Sequence, residues 1–250
     1  MNEQLARGWD DAAAGYEKFW VPRFRPWVEA AVAAVDDLPT GPILVPCCGT
    51  FPELDLLLER FPGREIVGVD LSPGMVELAH ERIGGREQAR AIVGDAAVLD
   101  AKWRGECAAV VSVFGLQQLP EPVQAISSWY DVLRPGGRLS VVFWPSVVEQ
   151  DGPFALMREL LNPAAPDPDP DFAEVLGDAL DRDERVVFPI RYPDAATFFD
   201  GYSRSGPMRA TAIARGDAFV DEIRRRFLER APEGEWTHQP AARLITATGR

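Results

Sequence analysis

Short apolar runs and amphipathic stretches alternate along the first 145 residues. Ile43-Leu44-Val45 precedes a helical pattern over 52–60 that carries Leu54, Leu57 and Leu58. Ile66-Val67-Gly68-Val69 precedes another over 73–83, which stops at Gly84-Gly85. Ala91-Ile92-Val93 and the run 108–113 follow, then a helical pattern over 121–133 and a last apolar run over 138–144. Leucines three and four apart give a helix one apolar face, whereas unbroken β-branched runs suit strands covered on both sides. Strand and helix in regular alternation predict right-handed crossovers and an open parallel sheet of the α/β class. Such sheets hold ligands beyond the carboxyl ends of their strands, so functional residues are expected just after each one.

Those positions carry polar chemistry. After the first strand comes Pro46-Cys47-Cys48-Gly49-Thr50-Phe51-Pro52-Glu53. Thr50 and Glu53 fit a capping box, and Pro52 suits a first helical turn. Free N–H groups at such a helix start attract a carboxylate or a phosphate. After the second strand stands Asp70, which could accept both hydroxyls of a ribose or simply cap the next helix alongside Ser72-Pro73. Gly94-Asp95-Ala96 follows the third strand and offers a carboxylate to an exocyclic amine. Phe114-Gly115-Leu116-Gln117-Gln118 follows the fourth.

In these residues the sequence resembles the class I S-adenosylmethionine (SAM) dependent methyltransferases, in the small-molecule branch related to quinone-biosynthesis enzymes. Val67-Gly68-Val69-Asp70-Leu71-Ser72-Pro73-Gly74-Met75 is similar to the motif whose acid holds the ribose. Gly94-Asp95-Ala96 is similar to the motif that holds the adenine. Leu133-Arg134-Pro135-Gly136-Gly137 resembles the signature leading into the fifth strand, and Trp9-Asp10 with Ala13 and Tyr16 resembles a helix that closes over the cofactor. The resemblance implies a Rossmann-like seven-stranded sheet, mostly parallel with the last strand antiparallel between the fifth and sixth, helices on both faces and a small cap. It implies SAM as cofactor, with Cys47, Cys48, Gly49, Glu53, Asp70, Leu71, Met75, Asp95, Ala96 and Phe114 around it. The glycine-rich first motif departs from the pattern: Val45 stands at the acid, Cys47 at the first glycine and Phe51 at the third, and only Gly49 survives. A side chain forced into the left-handed region there costs on the order of 1 kcal/mol or more. Glu53 could replace the lost acid or serve only in the capping box.

The implied activity is methyl transfer to an O, N or C atom of a small aromatic metabolite. The alternatives are a non-methylating step such as a cyclisation, or ligand binding without catalysis. A nicotinamide dehydrogenase would need a Gly-x-Gly-x-x-Gly that the chain lacks. Gln117 and Gln118 stand where many members have a histidine, and an amide cannot take a proton at neutral pH. Tyr16, Gln117 and His238 are therefore the candidate catalytic residues, with Tyr130 and Glu149 as further proton acceptors. His238 precedes the last strand and could equally be a surface turn residue; His80 reads as structural. Trp9, Tyr16, Phe19, Trp20, Phe24 and Trp27 form either a helix face packed on the sheet or an aromatic lid. Arg23 and Arg25 would then meet an anion, and Phe198, Phe199 and Tyr202 would form the opposite wall.

The chain reads as a single domain over 1–250: lid helices over 1–40, a cofactor-binding core over 41–145, a cap over 146–205, and a C-terminal helix and last strand over 206–250. Final strands are expected near 185–191 and 242–248. The stretch 162–170, rich in Pro and Asp, reads as an exposed loop. The 26 basic and 39 acidic residues give a net charge of −13, whose field repels phosphate backbones and anionic membranes. The expected partner is a small molecule, not nucleic acid or a membrane, for a monomer or homodimer. No export signal is expected at Met1-Asn2-Glu3-Gln4. Three cysteines and two histidines are too scattered for a structural metal site, and they suit reduced thiols in the cytoplasm.

Overall fold

The computed structural model describes residues 3–162 and 164–250; Met1, Asn2 and Pro163 of the proline-rich stretch lie outside the described residues. The chain order is α1 (Glu3–Ala33), β1 (Ile43–Pro46), α2 (Leu54–Arg60), β2 (Ile66–Asp70), α3 (Pro73–Ile83), β3 (Ala89–Val93), β4 (Cys107–Val113), α4 (Pro122–Asp131) and β5 (Leu133–Phe143). It continues with α5 (Pro153–Leu161), α6 (Ala173–Leu176), β6 (Leu180–Val187), β7 (Ile190–Tyr192), α7 (Ala195–Tyr202), α8 (Gly206–Arg215), α9 (Asp217–Arg230), β8 (Trp236–His238) and β9 (Ala241–Thr248). The first five strands and their helices fall where the apolar pattern sets them.

Seven strands form one sheet in the order β3-β2-β1-β4-β5-β9-β6. Strands β1 to β5 run parallel, and β9 enters antiparallel between β5 and β6, with Phe143 opposite Arg243. The chain runs outward from β1 to β3 and then returns to lay β4 on the other side of β1. At that reversal the turns after β1 and β4 diverge and leave a crevice.

Both faces of the sheet are covered, which accounts for the unbroken apolar runs. Ile43 and Val45 of β1 join one core with Trp27, Leu57 and Ala109, while Leu44 joins the other with Val67, Val110 and Trp129. Helix α1 lies on the first face and buries Trp20, Phe24, Trp27, Ala31 and Val32 at three- and four-residue spacing. It is one helix of 31 residues, not several, because Pro22 and Pro26 are accommodated inside it. Trp20 and Trp27 donate indole N–H bonds to Gly201 O and Val186 O, each at 3.2 Å, so the helix is tied to the cap as well as packed on the sheet.

The second half departs from the pattern in two ways. The strand expected near 185–191 is split: β6 ends at Val187, and Ile190–Tyr192 pairs instead with Trp236–His238 in a separate two-stranded ribbon. The region after 206 holds two helices, α8 and α9, before the last strands. Strand β6 is one of the sheet's two edges and is mostly exposed, with Arg243 of β9 paired to its Asp183.

Candidate cofactor site

The turn after β1 is held in a backbone shape that glycine ordinarily supplies. Cys47, Gly49 and Phe51 have φ of +54°, +51° and +64°. Two bulkier residues therefore keep the left-handed conformation at the two lost glycine positions, each at a cost of roughly 1–2 kcal/mol. Neighbouring strands meet that cost. Cys48 N donates to Val69 O at 3.1 Å, Gly49 N donates to the Asp70 carboxylate at 2.8 Å, and Ser112 Oγ donates to Pro46 O at 2.8 Å. Space is made by glycines elsewhere. A Cβ on Gly115 would stand 2.2 Å from Cys47 Cβ, and one on Gly68 would stand 2.7 Å from Cys48 Sγ and 3.1 Å from the Phe51 ring. Phe51 is fully buried in the core behind the turn.

The capping box does not form. Helix α2 begins at Leu54, Glu53 makes no capping bond, and Thr50 Oγ1 donates instead to Glu17 of α1. Glu53 is 1% exposed, and its Oε2 has no hydrogen-bond partner. Loss of water raises its carboxyl pKa to about 8, against weaker lowering by a backbone N–H and by Arg82. The next turn is conventional: Ser72 caps α3 by accepting from Met75 N at 3.1 Å, with Pro73 at the first helical position. Asp70 accepts from Gly49 N on one oxygen and from Ser72 N at 3.0 Å on the other, with the Leu71 N–H also acting on the carboxylate, which leaves it some acceptor capacity. Its pKa is raised by burial, an effect opposed by those backbone bonds.

These turns line a cavity of about 310 Å³ at the reversal between β1 and β4. All ten residues expected around the cofactor line it. Cys47, Cys48, Gly49 and Glu53 come from the first turn, and Asp70, Leu71 and Met75 from the second. Asp95 and Ala96 follow β3, and Phe114 (φ +58°) follows β4. Asp95 is exposed and accepts from Ala97 N at 2.9 Å, while Trp129 Nε1 holds Ala96 O at 2.7 Å. Burial, reinforced by Asp70, holds both thiols of Cys47 and Cys48 protonated. Among the described residues no Lys, Arg or His lines the cavity.

Helix α1 closes one side with Trp9 and Tyr16. It is fastened by two carboxylates. Asp10 accepts from Ser72 Oγ and from Gly74 N at 2.9 Å, and Glu17 joins Thr50 to Arg82, whose Nε in turn holds Thr50 O at 2.8 Å. Neither acid was legible as a latch, since each partner lies more than 30 residues away. Burial, with Glu53, Asp70 and Glu17 nearby, pushes the Tyr16 hydroxyl far above its usual range, so it is a hydrogen-bond donor and not a base.

The other two candidate catalytic residues lie outside this cavity. Gln117 donates to Phe114 O at 2.6 Å and accepts from Trp144 N at 3.4 Å; its neighbour Gln118 lines the cavity. His238 is buried, not a surface turn, and its Nδ1 lies 2.7 Å from Glu149 Oε2. Phe198 and Phe199 are core residues, and Tyr202 packs against that core instead of lining the cavity. Arg23 stacks on Phe19, donates to its carbonyl and lies 5.5 Å over the Tyr192 ring, and Arg25 pairs with Glu29. Tyr130 donates to Thr248 O, and His80 Nε2 lies 2.9 Å from Ala91 O. Among the described residues no group of three or more His, Cys, Asp or Glu comes together as a metal site, and no helix is long and apolar enough to cross a membrane.

Residues 43–137 match the methyltransferase domain family. Trans-aconitate 2-methyltransferase of Sinorhizobium fredii is 36% identical over 135 residues, which span 52% of this chain and 48% of that protein. Demethylmenaquinone methyltransferase of Thermus thermophilus is 36% identical over 91 residues, 36% of this chain and 41% of that protein. The chain thus spans about half the length of the curated relatives it matches. The crystal structure of a methyltransferase described as putative, from Bacillus halodurans, shares the fold with a TM-score of 0.59 at 15% identity, over 88% of this chain and 97% of that one. By its sheet order and these matches, the chain has the Rossmann-like methyltransferase fold and is similar, over residues 43–137, to the methyltransferase domain.

Proposed function

We propose that the chain transfers a methyl group from SAM to an O, N or C atom of a small, uncharged aromatic molecule. The observation that carries this reading is the meeting of Asp70, Asp95 and Glu53 on one cavity. Asp70 suits the ribose hydroxyls, because it lines the cavity as a carboxylate with acceptor capacity left. Asp95 and the backbone beside it suit the adenine amine. Glu53, buried and without a partner for Oε2, suits the ammonium of the methionine tail in place of the acid missing at Val45. A buried carboxyl is costly unless it meets a charge, and that ammonium supplies one. The residues present therefore fit the cofactor despite the altered first turn.

When bound, SAM supplies a methyl group already activated by a sulfonium, so the chain has mainly to align the acceptor and exclude water. Positioning of this kind can contribute roughly 7–11 kcal/mol. Trp9, Tyr16 and Phe114 offer aromatic surface for it. The trans-aconitate named for some relatives is a polyanion, and among the described residues no cationic side chain lines this cavity; an uncharged acceptor agrees better with that lining. Three thiols without a disulfide suit a reducing, cytoplasmic setting, for a monomer or homodimer.

The test is to denature purified protein and seek SAM or S-adenosylhomocysteine by mass spectrometry, then to titrate both by calorimetry. Micromolar binding is expected. Dissociation constants above the millimolar range for both would overturn the reading.

A further inference from the structure

A second polar constellation lies at the same end of the sheet. Glu149 follows the carboxyl end of β5, and His238 ends β8 just before β9, whose Ala241 N donates to Val148 O at 2.9 Å. Their side chains are only 4% and 2% exposed and meet at 2.7 Å. Glu149 is spent on both oxygens, since Oε1 accepts from Phe154 N at 2.7 Å. Nδ1 faces that carboxylate, and Nε2, the other polar atom of the ring, is buried with no partner. The Tyr192 ring stacks on His238 at 5.6 Å, and its hydroxyl is likewise buried and unpartnered. Loss of water holds that hydroxyl protonated, so it is a donor. A pair serving only to join the cap to the sheet would not leave a buried polar atom unsatisfied on each of two stacked rings, since each such group costs about 1–3 kcal/mol.

Aromatic rings connect this pair to the cofactor cavity. Phe114, which lines the cavity, stacks on Trp144 at 4.2 Å and 12°. Trp144 lies 5.7 Å from Phe154, and Phe154 lies 5.4 Å from His238. Trp144 and Phe154 are only partly buried, unlike Tyr192 and Phe198 behind them. Phe154 covers the imidazole from the first turn of α5, just after Gly152, whose φ of +122° sets the bend into that helix.

We propose that this strip is the acceptor subsite: a planar, elongated aromatic molecule lies along Trp144 and displaces the Phe154 ring. Its far hydroxyl donates to His238 Nε2 and accepts from Tyr192, while its near end reaches the methyl donor. Glu149 acts through His238 by fixing its tautomer, and Tyr192 and His238 select for a hydroxyl remote from the methylated atom. The proposal rests on the methyl-transfer reading for the near end alone; the far anchor stands on its own geometry.

The test uses the full chain, with and without S-adenosylhomocysteine, and two probes: naphthalene, and a dihydroxynaphthalene with hydroxyls at opposite ends. With only two histidines in the chain, nitrogen-15 correlation spectra resolve the imidazole of His238. The diol is expected to move its Nε2 resonance and to bind about tenfold or more tighter than naphthalene, one satisfied hydrogen bond's worth. Tyr192→Phe and His238→Asn should each narrow the diol's preference over naphthalene, and the double variant should bring the two probes to equal affinity. Glu149→Gln should change the tautomer pattern of the spectrum and weaken the diol alone. Phe154→Ala should quicken diol binding and leave cofactor affinity unchanged. Equal affinity of both probes for the unaltered protein, or an unmoved His238 signal at saturating diol, overturns the proposal even if the cofactor binds. Cofactor binding that fails while the diol preference persists overturns the methyl-transfer reading and leaves the anchor standing.

Discussion

The turns after β1 and β2 lie side by side, yet they are stabilised in opposite ways. The second carries its own cap, Ser72 on its helix with Pro73 opening it, and Asp10 of α1 only adds to that. The first has no side-chain cap, carries Cys47 and Phe51 in the left-handed region, and is held from outside by Asp70, Val69 and Ser112. A loop that has lost its glycines can thus keep its shape when adjacent strands provide both the hydrogen bonds and the room. That dependence also makes the first turn the more fragile of the two.

Gly115→Ala should have the largest effect. Its Cβ would collide with Cys47, and overpacking of this kind costs about 1–3 kcal/mol or more. Thermal unfolding should show a fall that the double variant with Cys47→Gly largely restores; additive losses would break the claim that Gly115 makes room for the turn. Asp70→Ala should weaken cofactor binding by roughly 1.5–3 kcal/mol in calorimetry, because the same carboxylate orders Gly49 and faces the cavity. An unchanged dissociation constant would mean that the two turns are not coupled through it.

Glu53 sharpens the comparison through pH. Its carboxyl holds a proton up to about pH 8 in the fold but loses it near the ordinary 4.5 when unfolded. Between those values the unfolded chain binds fewer protons, so stability falls as pH rises through the window. Glu53→Gln should flatten that slope in denaturant titrations. Binding of an ammonium-bearing cofactor near pH 7 should release a proton from the unaltered protein and none from the variant, measurable by calorimetry in buffers of different ionisation enthalpy. The smallest effects concern the turns themselves. Ser72→Ala should lower stability by about 1 kcal/mol through the lost cap. Cys47→Gly should change it by under about 1 kcal/mol, relief of strain being offset by lost burial and a freer unfolded chain.

The parallel half of the sheet was legible because strands covered on both faces must be apolar throughout, as Ile43 to Val45 and Val67 to Val69 are. The ten cavity residues were legible because they follow those strands directly. Strand β6 was not, since its edge position exposes Asp181 to Arg185 and only Val186 and Val187 look like strand. The latch of Glu17 onto Thr50 and Arg82, and the Glu149–His238 pair 89 residues apart, depend on tertiary approach that no local pattern encodes. The capping box failed for the same reason: a distant carboxylate took the threonine hydroxyl.

The charged border of the sheet has a consequence for crowded solutions. An outermost strand offers unpaired amides and carbonyls to any extended segment that drifts alongside, including its own twin in another molecule. Here the newcomer would have to strip water from Asp181, Arg182, Asp183, Glu184 and Arg185 in succession, two of them, Asp181 and Asp183, already engaged by Arg138 and Arg243. Growth of the sheet into ribbons is thereby discouraged without a proline or a covering helix.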